Sequence, residues 1–99
     1  MIVIHVALNI KPENKETLLN FAKYEVAEAR KFDGCNTFTV YADTQVDNRY
    51  VLYEQWETIE AFEAYKASDL FKKSGEVLFP IIDGKPESSY FDAKEFQQA

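Results

Sequence analysis

Residues 49–73, RYVLYEQWETIEAFEAYKASDLFKK, constrain the fold most, because a strand period gives way to a helix period there with no room for a linker. Tyr50 to Trp56 is an aromatic and β-branched run that places Val51, Tyr53 and Gln55 on one side of a strand and Leu52, Glu54 and Trp56 on the other. A strand apolar on both faces is a covered strand. Thr58 then has the chemistry of an N-cap, and Glu60 sets a negative charge in the first helical turn. Ile59, Phe62 and Tyr65, with Ala61 and Ala64 beside them, repeat at helical spacing. Ser68-Asp69 reads as a second cap, and Leu70-Phe71 begins another short helix. The chain is therefore expected to run from a central strand straight over the face of its own sheet.

The rest of the order follows from the same periods. Residues 2–10 form a strand with Ile2, Ile4, Val6, Leu8 and Ile10 on an apolar face and Val3, His5, Ala7 and Asn9 on a mixed one. Lys11-Pro12 ends it and Asn14 can cap a helix over 16–31, with Leu18, Ala22, Val26 and Ala29 buried and Asp33-Gly34 as the stop. Residues 35–42 alternate Asn36, Phe38 and Val40 against Cys35, Thr37, Thr39 and Tyr41. The polar loop 43–48 makes a hairpin into the central strand. Residues 72–82 hold a short helix with Pro80 near its end, a turn follows at Asp83-Gly84-Lys85-Pro86, and 88–92 is the last strand.

The order β-α-β-β-α-β, with a helical piece inserted before the last strand, predicts an α+β ferredoxin-like split βαβ fold with an antiparallel sheet and its helices on one face. One domain over residues 1–99 is expected, with 93–99 a polar tail. The second sheet face would carry Val3, Ala7, Cys35, Tyr41, Leu52 and Trp56, which is too apolar for water. A homodimer joined through the sheet faces is the expected cover.

Composition narrows the partners. A net charge of −6 with 11 scattered Lys and Arg gives no basic footprint for nucleic acid or an anionic membrane. The apolar run at 2–10 is too short to span a bilayer and lacks the basic flank of an export signal. The single Cys35 forms no internal disulfide and fits a reducing cytoplasm. Aromatics make up 15% of the chain, more than packing alone requires, so some are expected to line a cavity or an interface.

No glycine-rich phosphate loop, CxxC pair or multi-histidine cluster is present, so neither a cofactor nor a metal is expected. Asp43, Asp47 and Asn48 lack the glycine and closing Glu of a calcium loop and read as a solvated turn. His5 is either a hydrogen-bonded core or interface histidine or a proton-transfer group. Tyr65 and Phe71, where the two short helices meet over the sheet, either pack the core or line a pocket. Trp56 anchors strand to helix, and Cys35 is a small buried hydrophobe. One apolar cavity is expected between Ile59, Phe62 and Tyr65, the turn at Leu70-Phe71, and a sheet face carrying Val6, Leu8, Phe38 and Tyr53. Its polar groups would be the Tyr65 and Tyr53 hydroxyls and the Asn36 amide.

Gly34-Cys35 before Phe38, the run VLYEQWETIEAFEA, the spaced Ser68, Phe71 and Lys72, and the closing PIIDGKPE together resemble the antibiotic biosynthesis monooxygenase superfamily over nearly the whole chain. The resemblance implies a dimeric α+β barrel with an aromatic-lined pocket between each sheet and its own helices. It also implies oxidation of a small quinol, phenol or polyketide-type aromatic by molecular oxygen without flavin, haem or metal. An electron-rich phenolate can itself reduce oxygen, so such a protein need only bind it in a dry pocket and manage its proton. The site implied for this chain has Tyr65 and His5 as candidate catalytic residues. Asn36, Phe38, Tyr53, Phe62, Phe71 and Trp56 are its substrate-binding candidates. Tyr65 and Leu70 stand where many members carry histidines. Val6, Tyr65 and Gly75 stand where the haem-degrading branch carries its Asn, Trp and His. The alternative is a non-catalytic dimeric module of the same fold that binds a small aromatic ligand, for instance in a stress response.

Overall fold

A computed structural model describes residues 1–98. Its elements are β1 (Ile2–Asn9), α1 (Lys15–Ala29), β2 (Cys35–Ala42), β3 (Arg49–Trp56), α2 (Ile59–Lys66), α3 (Asp69–Leu78) and β4 (Glu87–Asp92). Single 3-10 turns precede α1 at Pro12–Asn14 and follow α3 at Phe79–Ile81. The four strands form one antiparallel sheet in the order β2-β3-β1-β4, the ferredoxin-like arrangement expected from the sequence.

Both predicted caps at the centre of the chain form. Thr58 Oγ1 accepts a hydrogen bond from the Ala61 N–H at 3.1 Å, and Ser68 Oγ accepts one from Phe71 N–H at 3.2 Å. Two caps ten residues apart divide what would otherwise be one helix into α2 and α3, so the chain can bend over the sheet. Along α2, each step of three residues turns about 300°, roughly 60° short of one full turn, so the stripe drifts around the helix. Phe62 and Tyr65 consequently share the buried face, whereas Ile59 stands in solvent rather than in the cavity wall. Leu18, Val26 and Ala29 hold α1 to the sheet as expected, joined by Phe21, which is fully buried.

The register overturns the expected facing of β3. Val6 pairs with Leu52 and His5 with Tyr53, so the even-numbered residues of β1 and β3 share the helix-covered face. Tyr50, Leu52, Glu54 and Trp56 are buried there, while Val51, Tyr53 and Gln55 lie on the outer face. On β2 a bulge between Cys35 and Thr37 adds one residue. It turns Cys35 towards the core beside Phe38 and leaves Asn36 exposed. The outer face is still apolar, with other members than expected: Val3, Ala7 and Tyr41 remain, Val51, Tyr53 and Phe91 join them, and Leu52, Trp56 and Cys35 leave. Among the described residues no helix is long and apolar enough to cross a membrane.

Candidate functional site

Trp56 is the pivot of the covered face. It is fully buried at the end of β3, and the Tyr65 ring from α2 stacks on it at 5.0 Å between centroids and 25° between planes. Phe38 meets the same tyrosine edge-on from β2 at 5.7 Å, and Phe71 does so from α3 at 5.4 Å. Phe32 adds a fourth contact, edge-on at 5.4 Å, and together these edge and offset contacts fix the tyrosine ring.

Beside this aromatic cluster lies a cavity of about 280 Å³ between the sheet and α2 and α3. Its floor is Ile4, Val6 and Leu8 of β1 with Leu52 and Glu54 of β3, and its walls include Phe38, Phe62, Tyr65 and Phe71. Lys66, Phe71, Phe79 and Tyr90 line it and are also exposed, so the mouth is on their side. Phe38, Phe62, Tyr65 and Phe71 thus come together as the sequence led one to expect, with Trp56 behind Tyr65. The other three candidates lie elsewhere. Tyr53 lies on the outer face, where its hydroxyl accepts a hydrogen bond from Gln55 Nε2 at 2.6 Å. His5 stands exposed opposite it, and Asn36 is carried outwards by the bulge.

The residue that sequence reasoning missed is Glu54. It is 5% exposed on the central strand of an apolar sheet face. Trp56 Nε1 donates to its Oε1 at 2.9 Å, which the period-2 geometry of a strand allows because residues 54 and 56 project side by side. Glu54 also lines the cavity, and its Oε2 has no hydrogen bond to any of the described residues. Burial pushes the carboxyl up to about 7, with the indole hydrogen bond only partly opposing that rise. Burial, then the nearby Glu54 charge, raises the Tyr65 hydroxyl well above its ordinary range, against a smaller opposing effect of Ser74. Tyr65 is therefore a hydrogen-bond donor at neutral pH. Burial and Glu54 likewise raise the Cys35 thiol, with Arg30 opposing. Among the described residues no group of three His, Cys, Asp or Glu side chains is placed to hold a metal ion.

A family profile described as antibiotic biosynthesis monooxygenase matches residues 1–76. The chain belongs to that family. Solved structures share the fold of this antibiotic biosynthesis monooxygenase family member across nearly its full length. A Deinococcus radiodurans protein assigned to the same family has a TM-score of 0.90 at 18% identity, covering 100% of this chain and 98% of its own. A conserved protein of Methanosarcina mazei has a TM-score of 0.89 at 24% identity, covering 94% and 92%. The Rv0793 protein of Mycobacterium tuberculosis has a TM-score of 0.87 at 12% identity, covering 98% of each chain. At these identities the likeness speaks for the fold alone. No curated protein matches the chain by sequence.

Proposed function

We propose that this family member is a cofactor-independent monooxygenase that binds a small quinol or phenol in the cavity under α2 and α3 and oxidises it with molecular oxygen. The observation that carries this reading is an aromatic-walled, apolar cavity containing one inward-facing ionisable carboxyl. At about 280 Å³ the cavity lies just below the ligand-pocket range of roughly 300–1,000 Å³. One ring or two fused rings fit it better than a polyketide of four. For a phenol with a free ring position the balance is simple. The ring C–H and the hydroxyl O–H are lost, one oxygen atom becomes the new carbonyl, and the other leaves with the two hydrogens as water. The phenolate supplies the electrons, and the apolar walls keep bulk water away from the intermediates.

An oxygen electrode tests the proposal. With 1-naphthol or a reduced naphthoquinone, oxygen uptake should exceed autoxidation and saturate with substrate. A rise in melting temperature with naphthol but no uptake would instead mark a binding module.

We also propose that two copies pair through the outer sheet faces, in a cytoplasmic setting that agrees with the lone thiol of Cys35. Val3, Ala7, Val51, Tyr53, Tyr41 and Phe91 make the apolar part of this face, which also carries His5, Thr39, Gln55 and Ser89. Sedimentation at micromolar concentration should give twice the chain mass of 11.5 kDa, and a stable species at 11.5 kDa would count against the pairing.

A further inference from the structure

Among the groups that line the cavity, few can take a proton. Burial keeps the Tyr65 hydroxyl protonated. Lys66 stands at the mouth, where its Nζ is engaged by the Glu63 carboxylate at 3.2 Å. Ser74 and Ser88 are ordinary alcohols, and His5 lies across the sheet. Glu54 remains, a lining residue with one oxygen held by the Trp56 indole and the other free of hydrogen bonds to the described residues.

We infer that Glu54 is the proton acceptor of this site, its Oε2 taking the hydroxyl proton of a bound aromatic alcohol. The inference rests on the proposed occupancy of the cavity by such an alcohol. In the step, the substrate O–H bond breaks, a carboxyl O–H bond forms, and the electron pair stays on the substrate oxygen. The negative charge only moves from carboxylate to phenolate, so the apolar cavity never holds two anions or gains net charge. That matters where desolvating a second charge is strongly unfavourable. The indole N–H leaves Oε1 with the bonded role and Oε2 with the chemistry. Trp56 is thus a positioning residue for Glu54. A carboxyl poised near neutrality offers both forms at the working pH, as proton exchange requires. The other charged or titratable groups facing it are the Cys35 thiol, the Tyr65 hydroxyl, Arg30 beyond Cys35, and Lys66 at the mouth.

The test starts with the wild-type protein under nitrogen, so that it does not depend on oxygen chemistry. Difference infrared spectra at pH 8 with 4-nitrophenol, whose acidity is close to that of Glu54, should show the carbonyl band of a protonated carboxyl. Nitrobenzene, which lacks the hydroxyl, should not produce the band. In Glu54→Gln the band should vanish, and kcat for oxygen uptake with 1-naphthol should fall about a hundredfold. Its affinity for 1-naphthol should stay within about threefold of wild type. If the Gln variant does not fold, Glu54→Asp assigns the band by shifting its frequency. Absence of the band in wild type, its survival in Glu54→Gln, or a Gln variant as fast as wild type overturns the inference. A band in a wild type that consumes no oxygen leaves the proton acceptor standing and removes the monooxygenase proposal.

Discussion

Replacing Glu54 by Gln is expected to remove a pH-dependent penalty on stability that reaches roughly 3 kcal/mol by pH 8, while removing the proton acceptor. The folded carboxyl titrates at about 7 against an ordinary value of 4.5, and one pH unit is worth about 1.4 kcal/mol. Below pH 4.5 both states hold the proton and burial of the neutral carboxyl is tolerated. Between 4.5 and 7 the unfolded chain ionises while the folded one keeps its proton, so stability falls as pH rises. Above 7 the loss is complete. Gln carries no charge at any of these pH values, and its amide oxygen can still accept the Trp56 indole bond. The stability difference between Gln variant and wild type should therefore grow by roughly 3 kcal/mol from pH 4.5 to 7.5, equivalent to roughly 10 °C or more in a domain of this size. The other carboxylates cancel because both proteins carry them. Urea titrations at several pH values measure the difference, and a flat one would mean that Glu54 is solvated.

The expected gain explains why Glu54 breaks a local rule. A carboxylate in the middle of a covered strand conflicts with patterning, packing and solvation at once, and such conflicts are concentrated at functional sites. The conflict was hidden in the sequence by one ambiguity. Tyr50 to Trp56 is apolar on both faces, so its period alone did not say which side the helices cover. That depended on the pairing of Val6 with Leu52, which links residues far apart in the chain. Placing Tyr53 inwards puts Glu54 on the opposite face with Leu52 and Trp56, away from the helices and the cavity. Trp56 held the missing clue: the largest apolar side chain of the strand, two residues before a helix that returns over the sheet, belongs under that helix. Glu54 follows it by parity.

Other features were legible because they are local. Thr58 and Ser68 announce their helices by cap chemistry, and Phe62, Tyr65 and Phe71 come together because two short helices must meet above the sheet. The bulge that turns Asn36 outwards has no comparable signature. It inserts a single residue at a strand start, where Cys35 and Thr37 both suit a β conformation.

Gly34→Ala is expected to destabilise the protein by roughly 3 kcal/mol and to weaken binding in the cavity, although the residue is remote from it. Gly34 has φ +83°, a left-handed conformation that costs an L-residue roughly 1–2 kcal/mol. An added Cβ would also stand 2.5 Å from Ala61 Cβ, a rigid atom in the first turns of α2, and relieving such overpacking costs about 1–3 kcal/mol. The contact is close because Glu57 N–H donates to the Gly34 carbonyl at 2.7 Å, tying the turn after α1 to the junction of β3 and α2. Moving Ala61 moves Phe62 and Tyr65 on the same helix, so 1-naphthol affinity should fall together with stability. Gly84→Ala is the control, since Gly84 has φ +87° but nothing within 4 Å of the new Cβ. It should show only the backbone cost of roughly 1–2 kcal/mol and leave affinity unchanged. Adding Ala61→Gly to Gly34→Ala removes the opposing Cβ, so the double mutant should recover about 1–2 kcal/mol relative to the sum of the single changes. Equal losses in Gly34→Ala and Gly84→Ala, with no coupling to Ala61, would show that the turn does not set the position of α2.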